Sequence, residues 1–414
     1  MIHGAGADAA GRDVEDSDEG SQDEYGMIEG GQMKSEPRET WLGGLGFIRF
    51  LAVAHIIGFN LVFEGCEERG FFAWGASWVP FFFTLSGFVI TYSQLNRQDP
   101  EEMDAVVPFL QRRFAAIYPL YALSLAWGLM LAMTRAESVG ASMWTTLPVN
   151  MLLLQAWSWD MDCPKEGAVW VCVQGWNFPS WYLSALAFHW LCWPLLYPRL
   201  LATSLAHSRG LLVGSALVAL AKIALGLMVG WRGHVWTFLQ VNPLSNLHFF
   251  LCGMCLAKLF LARMAKAASS GIAMDLFSFR LGRRRCSLSA TCALAALLII
   301  FCLKAGDPWL HACQMGLLLP IQMLLIWGLA AGEDPVARLS RVRLLAGGHQ
   351  LARCLFLLPA SVVFQRWWPW LHELLASRGM PCAVTFLLLV LPFNAAIALL
   401  MDRLAVRLIE ACFK

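Results

Sequence analysis

The sequence predicts an all-α integral membrane protein of about ten transmembrane helices with one re-entrant or interfacial segment, and three observations carry that expectation. Of the 414 residues, 58% are hydrophobic and 14% charged, and the mean hydropathy of +0.57 lies outside the usual range of soluble domains. Beyond residue 40 the chain divides into apolar runs of roughly 17–25 residues, the length that crosses a hydrocarbon core. Lys and Arg gather in alternate loops between those runs, as the positive-inside rule requires. A net charge of +2 gives no sign of a nucleic-acid partner, so the lipid bilayer is the partner the composition calls for.

Residues 1–40 differ from the rest. They are acidic, rich in Gly and Ser, and contain no apolar run, so they cannot bury enough surface to offset the entropy of ordering. The segment reads as a disordered acidic tail, with an interaction or phosphorylation role at Ser17 and Ser21 as the alternative. It has no basic region followed by an apolar one, the pattern of a signal peptide.

Residues 41–414 then form one transmembrane domain, with runs at 45–63, 72–92, 114–133, 181–197, 211–229, 247–262, 287–303, 310–331, 352–367 and 383–401. The apolar run 147–157 is too short to cross and reads as re-entrant or interfacial. With the N-terminus in the cytosol, the cytosolic loops carry Arg97, Arg112 and Arg113, then Arg199 and Arg209, then Arg263, Lys266, Arg280 and Arg283 to Arg285, then Arg338, Arg341 and Arg343, and finally Arg403, Arg407 and Lys414. A full crossing at 147–157 would put every later basic loop on the wrong side. Both termini are therefore expected in the cytosol and residues 160–179 on the opposite face.

Most of the 13 cysteines fall inside the runs, where a thiol behaves as a small hydrophobe. Cys66, Cys163 and Cys172 fall in loops expected on the non-cytosolic side, where disulfides persist. Cys163 and Cys172 either close a short loop or remain two thiols. Zinc-ligand spacing, a phosphate-cradling glycine loop and a nucleophile elbow are all missing, so no metal and no permanently bound cofactor is expected.

The run "SWVPFFFTLSGFVIT" (77–91) places Thr84, Ser86 and Gly87 at mid-membrane depth. Small residues there read as close helix packing or as a polar lining. The wider pattern bears on that choice. "FIRFLAVAHIIGFN" (47–60), "VPFFFTLSGFVIT" (79–91), "FLQRRFAAIYPLY" (109–121) and "NFPSWYLSALAFHWLCWPLLYP" (177–198) follow one another in that order. Together they resemble the acyltransferase 3 family of integral membrane acyltransferases. The resemblance covers about residues 42–400, more closely in the first half than in the second, where "NPLSNLHFFLCGM" (242–254) and the interval 347–359 fit loosely.

The resemblance implies an enzyme that passes an acyl group, usually acetyl, from acyl-CoA as co-substrate to a hydroxyl of a glycan or lipid acceptor. A base must then take the hydroxyl proton, cations must hold the donor's phosphates, and donors must stabilise the oxyanion. Arg49, a charge inside the first run, matches the family's Arg and is expected to organise the site. Arg112 and Arg113 are expected to bind the donor, although they also serve as topology signals. Ser86, Tyr118, Trp181 and Ser184 belong to the shared motifs and are assigned to substrate binding.

The family's His, eleven residues after that Arg, is Asn60 here, and an amide is no base at neutral pH. His55 lies five residues earlier, about 140° around the helix and about 7.5 Å along it, so no simple slip replaces the missing group. Leu186 and Ala187 stand where carboxylates commonly follow Trp-x-Leu-Ser, and Leu357 stands at a second His position. Arg49, Asn60 and His55 are the expected catalytic positions; the ionisable groups within the runs are His55, His189, His248 and Lys258, each histidine reads as structural or as a substitute base, and His189 is grouped with the substrate-binding residues. A catalytically silent scaffold or binding protein, and a transporter, are the alternative functions.

Overall fold

The computed structural model describes residues 38–62, 70–97, 105–134, 141–158, 165–166, 169–170, 180–270, 276, 278–281, 284–304, 306–339, 352, 354–355, 373–374 and 386–412. The acidic tail up to residue 37, Cys66, Cys163 and Cys172, and most of the ninth expected span lie outside them. The helices are α1 (Arg38–Val62), α2 (Trp78–Leu95), α3 (Val106–Thr134), α4 (Ala141–Met151), α5 (Trp181–Ala202), α6 (Leu205–Met228), α7 (Gly233–Val241), α8 (Pro243–Ser270), α9 (Ser289–Cys302), α10 (Asp307–Gln314), α11 (Leu319–Ala331), α12 (Pro335–Leu339) and α13 (Leu391–Cys412). A 3-10 turn, Phe71–Ser77, leads into α2. Two short antiparallel hairpins, Lys165–Glu166 with Val169–Trp170 and Ser278–Leu281 with Arg284–Ser287, are the strands among the described residues.

Local sequence sets the helix ends. Ser204 caps α6 by accepting from the His207 amide at 3.1 Å. Asn242 accepts from the Leu244 amide at 3.0 Å, and Pro243, which has no N–H to satisfy, opens α8. Asp334 accepts from the Val336 amide at 2.9 Å to start α12 and also holds Thr291 of α9 through its amide (3.0 Å) and hydroxyl (2.6 Å). Gly332, at φ 72°, ends α11 in the left-handed conformation that glycine adopts without penalty.

The expected count of about ten spans is not what the described helices give. Three are long and apolar enough to cross a membrane, Phe71–Leu95, Leu205–Met228 and Gly233–Ser270; the pair Asp307–Gln314 and Leu319–Ala331, bent by 48°, makes a fourth if taken together. The count covers the described residues, in which the apolar stretches of α1 and α9 run over Gly44–Asn60 and Ser289–Cys302. Within α5, a density of Trp, Tyr, Pro and His lowers the hydropathy.

The centre of the bundle is the pair α2 and α8. A Cβ added at Gly253 of α8 would overlap the Thr84 carbonyl oxygen, and one at Gly87 of α2 would overlap the Phe250 carbonyl oxygen. The two backbones approach that closely because neither has a side chain at the crossing. Thr84 turns its hydroxyl back onto the Pro80 carbonyl at 2.9 Å. Thr84 and Gly87 of the 77–91 run thus serve helix packing. Position in the bundle varies widely between spans: 72% of the apolar stretch of Phe71–Leu95 is buried, against 22% for Leu205–Met228, so α6 is peripheral.

Candidate active site

The shared motifs meet around an irregular loop. After α4 the chain reverses at Leu153, whose φ of 55° costs a side-chain-bearing residue roughly 1–2 kcal/mol, and a 3-10 turn, Gln155–Trp157, follows. Leu153, Gln155 and Ala156 are buried, so their backbone groups need partners. Ser184 supplies two: its Oγ donates to the Leu153 carbonyl (2.5 Å) and accepts from the Ala156 amide (3.1 Å). The Tyr121 hydroxyl donates to the Asn150 carbonyl (2.8 Å) and that of Tyr118 to the Met151 carbonyl (3.0 Å). Gln155 Nε2 reaches Tyr121 Oη (3.2 Å) and both the carbonyl and Oγ of Ser180 (3.0 Å each). Tyr121 lies near the midpoint of α3, so the loop is fastened about 20 Å from either end of that helix. Tyr118 and Ser184, expected to contact substrate, have their hydroxyls engaged in holding this loop.

Beside the loop, three helices bring polar side chains together. Arg49 of α1 lies within electrostatic range of the Tyr182 hydroxyl on α5 and of Arg113 on α3. Tyr182 packs on Phe83, ring centroids 4.6 Å apart, and follows Trp181, which is buried at the start of α5. The Arg113 guanidinium carbon stands 5.6 Å from the centroid of the Phe109 ring. Burial first, and the neighbouring Arg112 second, lower the Arg113 pKa from its ordinary value, but a guanidinium keeps its proton in a protein. Among the described residues neither Arg49 nor Arg113 is paired with a carboxylate. Two cations and a phenol without an acid form a place suited to an anion. Arg112 is exposed one residue away. Ser86 is half-buried, about 100° around α2 from the glycine contact. Tyr182, Tyr121, Gln155 and Ser180 were not singled out in the sequence; only the adjacency of Tyr182 to Trp181 could have pointed to it.

The histidines separate by their hydrogen bonds. His55 accepts at Nδ1 from the Trp78 indole N–H (2.9 Å) and so must donate from Nε2 to the Phe71 carbonyl (2.8 Å). Its ring stacks on Phe71 at 4.5 Å and meets Phe301 edge-on at 4.9 Å. Both nitrogens are in use. Asn60 lies one and a half turns further along α1 and about 16.5 Å from Arg49 along the axis, so these two are not brought together. His189, seven residues after Tyr182 on nearly the same face of α5, donates from Nε2 to the Pro243 carbonyl at 3.0 Å. Its Nδ1 is buried and makes no hydrogen bond among the described residues. One backbone acceptor thus fixes the tautomer and leaves a bare lone pair, the arrangement a general base requires. Phe83 bridges the two, 4.9 Å from His189 and 4.6 Å from Tyr182.

The lysines within the helices also differ. Lys258 donates to the carbonyls of Leu200 (2.6 Å), Leu201 (3.1 Å) and Thr203 (2.5 Å), closing the C-terminal end of α5 where a cation is favoured. Lys222, in the C-terminal half of α6, was overlooked in the sequence, although a charge within an apolar run is itself a signal.

Over 125 residues, 30% of this chain, the sequence is 34% identical to the acyltransferase MdmB of Streptomyces mycarofaciens. The match spans 28% of that protein's length. No family model and no solved structure matches the chain.

Proposed function

We propose that this chain is a membrane-embedded O-acyltransferase of the acyltransferase 3 type that moves an acyl group from acyl-CoA to a hydroxyl of a carbohydrate or lipid acceptor. The observation that carries the reading is the convergence of Arg49, Arg113 and Tyr182 inside the bundle, with no carboxylate among the described residues paired to either cation. The name of the partial relative agrees with it. Arg113, with Arg112 beside it, holds donor phosphates by charge-assisted hydrogen bonds. Arg49 and Tyr182 stabilise the oxyanion that forms on the thioester carbonyl. His189 Nδ1 takes the acceptor's hydroxyl proton, the oxygen bonds to the carbonyl carbon, the carbon–sulfur bond breaks, and the CoA thiolate leaves and is protonated.

Purified protein in lipid nanodiscs with acetyl-CoA labelled in the acetyl group should lose thioester and place the label on an added glycan or lipid. Arg112 and Arg113 changed together to Ala should weaken acyl-CoA binding at least about tenfold, since charge-assisted contacts contribute about 1.5 kcal/mol or more. Undiminished binding would leave that pair as topology signals. A silent scaffold is the second reading, favoured by Asn60 and Leu357 at the family's His positions, and it requires donor binding without thioester loss.

The membrane arrangement belongs to the same proposal: about ten crossings, both termini cytosolic, and the loop fastened by Tyr121 and Ser184 entering from the opposite face without crossing. Reporter fusions at Gly175 and after Lys414 should give opposite signals. Equal signals refute this topology.

A further inference from the structure

α6 is peripheral and turns Val213, Leu217 and Leu220 outward. Lys222 on the same helix is only 5% exposed and faces α8 instead. Its Nζ donates to the Ser245 carbonyl and to Asn246 Oδ1, both at 3.2 Å, and stands 5.0 Å from the Phe249 ring centroid. Every one of these partners is neutral, and among the described residues no carboxylate acts on the ammonium. His248, two residues beyond Asn246, lies in the field of Lys222 and of His189. Among the described residues neither of its ring nitrogens makes a well-formed hydrogen bond; the ring feels the Ser245 carbonyl that already accepts from Lys222.

Three groups that carry or can take positive charge thus surround the first two turns of α8, whose N-terminal end adds a partial positive charge of its own. A buried charge without a counter-charge is expensive in a hydrocarbon setting. An anion would remove that cost, giving the third Lys222 N–H an acceptor and the His248 ring a partner. We propose that Lys222 and His248 form a second binding site, within the bundle, for an anionic head group, a carboxylate or phosphate. The site lies one helix face from the exposed apolar surface of α6, the side from which an amphiphile would enter. This proposal does not rest on the acyl-transfer reading.

The test is a titration of the purified full-length chain in neutral detergent with dodecyl phosphate, followed by native mass spectrometry, with inorganic phosphate as a parallel arm. The expected result is saturable binding of dodecyl phosphate that weakens at least tenfold in Lys222→Met and is restored in Lys222→Arg. Comparable binding of inorganic phosphate identifies a free anion as the ligand, and much weaker binding identifies an amphiphile; either supports an anion site. Unchanged binding in Lys222→Met, or no saturable binding by the wild type, overturns the proposal. Should Lys222→Met fail to fold, His248→Phe decides: weakened binding supports the site and wild-type binding removes it. Lys222→Met should retain acetyl-CoA thioester turnover, so loss of this site is distinguishable from failure of the acyl-transfer reading.

Discussion

Changing His189 to Ala is expected to lower thioester-dependent transfer by about 10²-fold or more, the range in which a positioned base contributes, while His55→Ala leaves turnover per folded molecule within a few-fold. The difference follows from the ring nitrogens. His189 is held between Phe83 and Phe250, centroids at 4.9 Å and 5.3 Å, with Nε2 on the Pro243 carbonyl and Nδ1 without a hydrogen bond among the described residues. His55 has no lone pair to give, because the Trp78 indole already occupies it. Removing the His55 ring strands that buried N–H, a loss of about 1–3 kcal/mol, together with the stacking on Phe71 and Phe301. The effect of His55→Ala should therefore appear as earlier thermal unfolding. Asn60→His adds a third arm: a rise in transfer would mean that position 60 still faces the reacting atoms, whereas no change is expected if His189 is the base. Wild-type turnover in His189→Ala, measured as acetyl-CoA thioester loss, would end the assignment.

Some of this was legible in the chain and some was not, and the reasons are specific. Apolar runs located the helices, because a period of 3.6 and a membrane-length run leave few alternatives. Among the described residues fewer helices qualify as spans than the runs suggested, and in α5 the reason is that Trp, Tyr and Pro read as apolar when counted but lower the hydropathy. The run 147–157 was expected not to cross, from its length and from the basic loops that follow it, and the bonds from Tyr121 and Ser184 to its backbone support the irregular loop found there. The roles of Tyr118 and Ser184 did not follow. A motif reports that a residue type is required at a position, and the hydroxyl that holds a buried loop looks the same in sequence as one that holds a substrate. Tyr182 escaped notice because its relevance depends on Arg49 and Arg113, which are more than sixty residues away on other helices.

The close crossing of α2 and α8 gives the second large expected effect, on stability. Gly253→Ala puts a Cβ where the Thr84 carbonyl oxygen and the Phe88 amide nitrogen already stand, and these are backbone atoms that cannot swing aside. The helices must separate, losing contact along the α2–α8 interface, so the expected loss is about 1–3 kcal/mol or more, the range for overpacking a fitted interior. Gly87→Ala meets the Phe250 carbonyl from the other side and should behave alike. Within the same protein, Gly210 and Gly214 of peripheral α6 have nothing within 4 Å of an added Cβ. Ala at either should be neutral or should stabilise by up to about 1 kcal/mol, since Ala favours a helix over Gly. Thermal unfolding of the four variants in one detergent separates close approach from helix propensity. If all four melt alike, the glycines of α2 and α8 do not set the distance between those helices, and Thr84 and Gly87 return to the alternative of a polar lining.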